Sequence, residues 1–178
     1  MFIQSNWFIN ISKQYVFMLP KTYLKFNPAI FSKGKRGLIY LIKKNNKKYA
    51  IKIKLPASRA INRINIEADF LKLLNRYNIG PKIIDFGDDF IVYEFVEGIT
   101  LKEFLKSNNL DKKIINNIIK QCKILDKLKI NKEEMHSPLK NIIITRDRMP
   151  VLIDFERCHF TSRPKNLNQF REFLKKKL

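Results

Sequence analysis

Between Ser58 and Asn75 the apolar residues Ile64, Ala68, Leu71 and Leu74 recur at the spacing of one helical face, and a carboxylate, Glu67, falls on that same face. An ionised carboxylate carried into an apolar interface is costly unless a cation meets it there. The stripe therefore asks for a fold in which this helix packs against an element that offers a lysine or arginine. The natural source is Ala50-Ile51-Lys52, on a strand-like run whose Tyr49, Ile51 and Ile53 face one way while Ala50, Lys52 and Lys54 face the other. Two plainer readings stay open at this level: Glu67 curling from the boundary into water, and Lys52 solvated on a half-exposed strand.

The flanking patterns extend the picture. Ile39 to Ile42 and Tyr49 to Ile53 are apolar or alternating runs separated by the polar turn 43–48, which reads as a β-hairpin. Gly80-Pro81 ends the helix, and two further strands, Lys82 to Phe86 and Phe90 to Val96, are joined by Gly87-Asp88-Asp89. After Gly98 the character changes. Thr100, with Glu103 three residues on, predicts a capping box for a short helix through Leu105. Asp111 opens a longer helix with Ile114, Ile115, Ile118, Ile119, Cys122, Leu125 and Leu128 on one side. A polar stretch, Asn131 to Lys140, then leads to the strands Ile142–Ile144 and Val151–Ile153, with a tight turn at 146–150. The tail from Asn166 to Leu178 returns to helical spacing. The expected class is α+β, with a β-rich N-terminal lobe (1–97) and a smaller, mostly helical C-terminal lobe (98–178) joined near Glu97-Gly98.

Composition supports a packed interior and narrows the setting. Of the 178 residues, 45% are hydrophobic and 14 are Phe, ample for a core. No apolar run reaches the roughly 18 residues of a membrane span. The opening stretch is broken by Gln4, Asn6 and Asn10 and lacks a leader pattern, so an intracellular, cytoplasmic protein without a membrane partner is expected. Cys122 and Cys158 lack the spacing of a metal knuckle or redox pair and read as reduced thiols. The formal charge of +20 favours polyanionic partners such as RNA or the ribosome, or a protein partner docked on the basic surface. Lysines solvated on every face account for the same number.

Three further groups carry possible chemistry. In Ser32-Lys33-Gly34-Lys35-Arg36-Gly37-Leu38-Ile39, two glycines between extended segments let backbone amides approach a phosphate, although an ordinary turn uses the same residues. Small Ala50 leaves room for a flat ring, and Lys52 is within reach of phosphate oxygens. Asn141 precedes the run 142–144 and Asp154 follows the run 151–153, so a hairpin makes them neighbours. An amide oxygen and a carboxylate together suit Mg²⁺ carrying nucleotide phosphates, and strand-end caps are the plainer alternative.

Taken in order, the pieces from about Ser32 to Glu156 resemble the protein-kinase-like superfamily, closest to the small atypical kinases of archaea of the RIO kind. The resemblance implies a two-lobed kinase fold with a truncated C-terminal lobe, and ATP and Mg²⁺ as cofactors. Gly34 and Gly37 match the glycine-rich loop, Ala50 and Lys52 the ATP-anchoring strand, and Glu67 its helix partner. The segment Tyr93-Glu94-Phe95-Val96-Glu97-Gly98 is similar to the hinge, where backbone groups from Glu94 to Val96 bind adenine. Asn141 and Asp154 match the two metal ligands. Asp85-Phe86-Gly87 spells the family's metal-binding triplet but precedes the hinge, so the counterpart is Asp154-Phe155-Glu156. The catalytic loop departs from the pattern: His136, not Asp, stands five residues before Asn141. The base implied is Glu134, through a loop two residues longer, with His136 second. Only 22 residues follow Glu156, which argues against flexible peptide substrates. The readings are an atypical Ser/Thr kinase or related phosphotransferase, a nucleotide-binding pseudokinase, and a basic RNA- or ribosome-associated module on that fold.

Overall fold

The computed structural model describes residues 15–34, 37–55, 62–107 and 109–177. Its first strands are β1 (Ala29–Lys33), β2 (Gly37–Lys44) and β3 (Lys47–Lys54). The turn between β2 and β3 is shorter than the six polar residues suggest. Asn45 and Asn46 both take positive φ, 50° and 61°, as a two-residue type I′ turn requires. Pairing therefore runs on to Lys43↔Lys48 and Lys44↔Lys47. With β4 (Ile83–Gly87) and β5 (Phe90–Glu94) these strands form one antiparallel sheet in the order β1-β2-β3-β5-β4.

One face of that sheet is apolar by simple alternation. Leu38, Tyr40 and Ile42 from β2 and Ile51 and Ile53 from β3 are buried, with Val92 from β5 and Leu19 from the segment before the sheet. Tyr23, in the one-turn helix α1 (Lys21–Leu24), and Phe26 pack against them. Tyr40 is fully buried, and burial pushes its phenol up to about 12.

The chain divides into two units: residues 1–68 with 82–95, holding the five-stranded sheet, and residues 69–81 with 96–178. Helix α2 (Arg63–Asn75) has its first residues counted in one unit and its last in the other. The expected stripe is buried, with Ile64 and Ala68 in the first unit and Leu71 and Leu74 in the second. The expected helix start near Ser58 lies outside the described residues.

In the second unit, β6 (Gly98–Thr100) pairs with β8 (Ile142–Thr145), which pairs with β9 (Pro150–Leu152). A Cβ on Gly98 would lie 2.3 Å from the Ile144 carbonyl oxygen, so only glycine permits this approach. Helix α3 (Leu101–Phe104) starts on the Thr100–Glu103 capping box read from the sequence. Helix α4 (Lys112–Lys127) turns Ile114, Ile118, Cys122 and Leu125 inward. Strand β7 (Ile130–Lys132) pairs with β10 (Cys158–Phe160), and helix α5 (Asn166–Lys177) buries Phe170 and Phe173. No helix among the described residues is long and apolar enough to cross a membrane.

The start of α4 yields a pH prediction. The Asp111 carboxylate accepts the Ile114 N–H at 2.8 Å and the Arg148 guanidinium at 2.8 Å. The Ile114 amide first, and Arg148 next, hold Asp111 below its usual 3.8. A depressed carboxylate contributes stability that is present above its unfolded value and lost as pH falls through its folded value. Asp111→Asn keeps a good cap without the titration. Thermal midpoints followed downward from about pH 5 are expected to fall less steeply in the variant than in wild type, and parallel curves would refute this.

Candidate functional site

In the first unit, Lys52 and Glu67 form a buried charge pair. Strand β3 sits in the interior of the sheet, and alternation turns Lys52 away from the face occupied by Ile51 and Ile53. Its ammonium donates to Glu67 Oε2 at 2.6 Å, with the side chains 12% and 3% exposed. The acid on the apolar stripe of α2 has thus found the lysine the sequence offered, rather than water. Ala50, two residues back on the same strand face, is buried. The Gly34 N–H donates to the Gly37 carbonyl at 2.8 Å, closing the β1–β2 connection, while Lys35 and Arg36 lie outside the described residues. A Cβ at Gly37 would stand 2.9 Å from the Ile53 carbonyl oxygen and 3.8 Å from Lys52 Cε, so glycine keeps β2 close beside the lysine. At the end of β5, the Glu94 N–H donates to the Lys82 carbonyl and the Phe95 N–H to the Lys48 carbonyl; Val96 opens the second unit. Asp85-Phe86-Gly87 is the end of strand β4, with the hairpin turn at the next two residues: Asp85 accepts the Tyr23 hydroxyl at 2.6 Å and Gly87 stands opposite Phe90.

The second unit holds a denser polar group. The polar stretch 131–140, expected as a connecting loop, is instead the wholly buried strand β7 followed by 3-10 turns at Glu133–His136 and Pro138–Lys140. Lys132 is completely buried. Its ammonium donates to Glu134 Oε2 at 3.2 Å and to the main-chain carbonyl of Asp154, and stands 4.9 Å from the centre of the Phe155 ring. Arg157 pairs with Glu133, and its Nε lies 3.8 Å from Glu134 Oε1. His136 is exposed and turns Nδ1 to 2.7 Å from the Glu133 carbonyl oxygen.

The β8–β9 hairpin does set Asn141 beside the approach to Asp154, since the Ile153 N–H donates to the Asn141 carbonyl at 2.9 Å. Asp154 takes φ of 63°, a left-handed conformation that aspartate tolerates better than most side chains. Its peptide is the one Lys132 holds. A carboxylate oxygen of Asp154 lies within 4.8 Å of one of Glu156, which is buried. Two carboxylates that close are a hard-oxygen donor set.

Of the residues singled out from sequence, the fold brings Lys52 to Glu67 in one unit and, in the other, bonds the backbone of Asn141 to Ile153, the residue before Asp154. Glu134 has Lys132 and Arg157 beside it, whereas the bond His136 makes is to the Glu133 carbonyl. Lys132 went unrecognised because the surrounding residues show no periodicity. The available hint was local: a lysine only two residues before the favoured base, near enough in the chain for its ammonium to meet that carboxylate.

Comparison with protein-family models finds no match, and comparison with curated proteins finds none.

Proposed function

We propose that the chain binds ATP with Mg²⁺ and acts as a phosphotransferase of the atypical protein-kinase kind, built as two lobes. The buried Lys52–Glu67 pair carries the reading. Burying a cation and an anion is costly, and such a pair is weak as a stabilising device compared with apolar side chains of the same volume. A chain that keeps one in a sheet, beside a small Ala50 and a glycine connection, has a use for a fixed ammonium. Holding nucleotide phosphates is that use.

The residues present fit the cofactors by chemistry. Lys52, held by Glu67, takes phosphate oxygens; Asn141 and Asp154 are hard-oxygen ligands for the metal, with Glu156 as a third carboxylate or amide oxygen source. ATP supplies the transferable phosphoryl group and Mg²⁺ neutralises its charge. Glu134 would be the base that takes the proton of the acceptor hydroxyl, with ADP as the leaving group of the transfer. His136 is the weaker candidate, since its ring is turned onto its own 3-10 turn.

A pseudokinase is the second reading, and one observation favours it: Glu134 is engaged by both Lys132 and Arg157, so its carboxylate is less available as a base.

Thermal shift with ATP, with and without Mg²⁺, tests nucleotide binding. At about 100 times the dissociation constant the ligand adds about 2.7 kcal/mol, a rise of roughly 5–10 °C for a domain of this size. Asp154→Asn is expected to remove the Mg²⁺-dependent part. Label transfer from γ-labelled ATP separates enzyme from pseudokinase. No shift in wild type, or one untouched by Asp154→Asn, overturns the respective assignment.

A further inference from the structure

The β2–β3 hairpin ends in Lys43-Lys44-Asn45-Asn46-Lys47-Lys48, all six exposed. Pairing to β1 reaches only as far as Leu41, and pairing to β5 begins at Tyr49. Between those limits neither flanking strand pairs with the ribbon, and the Lys48 carbonyl accepts the Phe95 N–H. The register opposes Lys43 to Lys48 and Lys44 to Lys47 directly. Directly opposed like charges destabilise a hairpin, and here two such pairs occur in succession with no carboxylate in the tip. Because side chains alternate across a strand, one pair projects from each face of the ribbon. Lys44 lies 5.7 Å from the centre of the Phe26 ring, which braces its stem.

Positive charge on both faces of a narrow ribbon matches a slot with phosphates along both walls. A single strand or a flat anionic surface engages one face and leaves the other pair opposed. The major groove of B-form DNA, about 12 Å wide, admits a two-stranded ribbon, whereas the A-form major groove is too narrow and deep. We infer that the β2–β3 tip is a docking element for duplex DNA, the four lysines contacting phosphates and Asn45-Asn46 entering the groove. This inference is independent of the phosphotransferase reading.

The test is anisotropy with a fluorescent B-form duplex of about 20 bp, titrated at several salt concentrations. Duplex RNA and single-stranded DNA of the same sequence serve as competitors. Wild type should bind duplex DNA best. Lys43→Gln/Lys44→Gln/Lys47→Gln should weaken binding at least ~100-fold at low salt and flatten the log–log salt slope by about 3. The variant relieves the opposed charges, so its thermal midpoint should not fall. A control set, Lys120→Gln/Lys123→Gln/Lys127→Gln on the exposed face of α4, should change affinity less than tenfold. Equal losses in the two sets would mean diffuse attraction by the net charge and overturn the proposal, as would no binding or tighter binding of either competitor.

Discussion

Lys52→Met is expected to lower the stability of the protein by about 3–5 kcal/mol, a loss characteristic of a buried ion pair left with one charge. The geometry sets the size. Glu67 is 3% exposed and its lysine 12%, so the carboxylate loses its ammonium in a setting with little access to water. A surface pair would lose only about 0–1 kcal/mol, so the magnitude itself discriminates. At about 2–4 °C per kcal/mol the midpoint should drop by roughly 10 °C, and urea unfolding gives the free energy directly. Lys52→Met/Glu67→Leu should recover most of the loss, because it removes the second charge as well as the first. The double variant is also the cleaner probe of function: folded, yet expected to show no ATP-dependent shift. A single-variant loss under about 1 kcal/mol would mean that Glu67 turns to water in solution.

Lys132→Met should cost about 3 kcal/mol, at the lower edge of the range for a broken buried pair. Two partners are affected. Glu134 keeps some solvent at 15% exposure and retains Arg157, which limits its share of the loss. The carbonyl of Asp154 loses its donor, and with it one constraint on a residue held at positive φ. The structural cost is read by urea unfolding. Within the proposed function, a positioning role predicts something more: in the variant, the Mg²⁺-dependent part of the thermal shift expected with ATP should shrink, because the Asp154 carbonyl has lost the ammonium bonded to it. Lys132→Arg, which keeps the charge, should recover part of that dependence. A variant that loses stability but keeps the full Mg²⁺-dependent shift would leave Lys132 a purely structural residue.

Much of the architecture was legible from local pattern, and the reason is periodicity. The α2 stripe, the inward face of α4 and the Thr100–Glu103 box are set by residues three or four apart, so they can be read without knowing what lies against them. The Lys52–Glu67 contact could be inferred because a carboxylate on an apolar stripe has few acceptable outcomes. Other features resisted. The tip of the β2–β3 hairpin reads as a polar loop, and only the positive φ of Asn45 and Asn46 extends pairing into it. The stretch 131–140 carries too few residues per element to show any period.

What decides the place of Lys132 is distance along the chain. Its strand is buried by pairing with Cys158–Phe160, its amide is bonded by Asn166, thirty-four residues on, and its ammonium meets the peptide of Asp154. None of these partners leaves a trace in the neighbouring residues. The amino-acid order alone determined which faces are apolar and where helices begin, since those depend on near neighbours. Only tertiary structure decided which cation is sealed beside Glu134, because burial of a charge depends on partners that folding brings together from far apart.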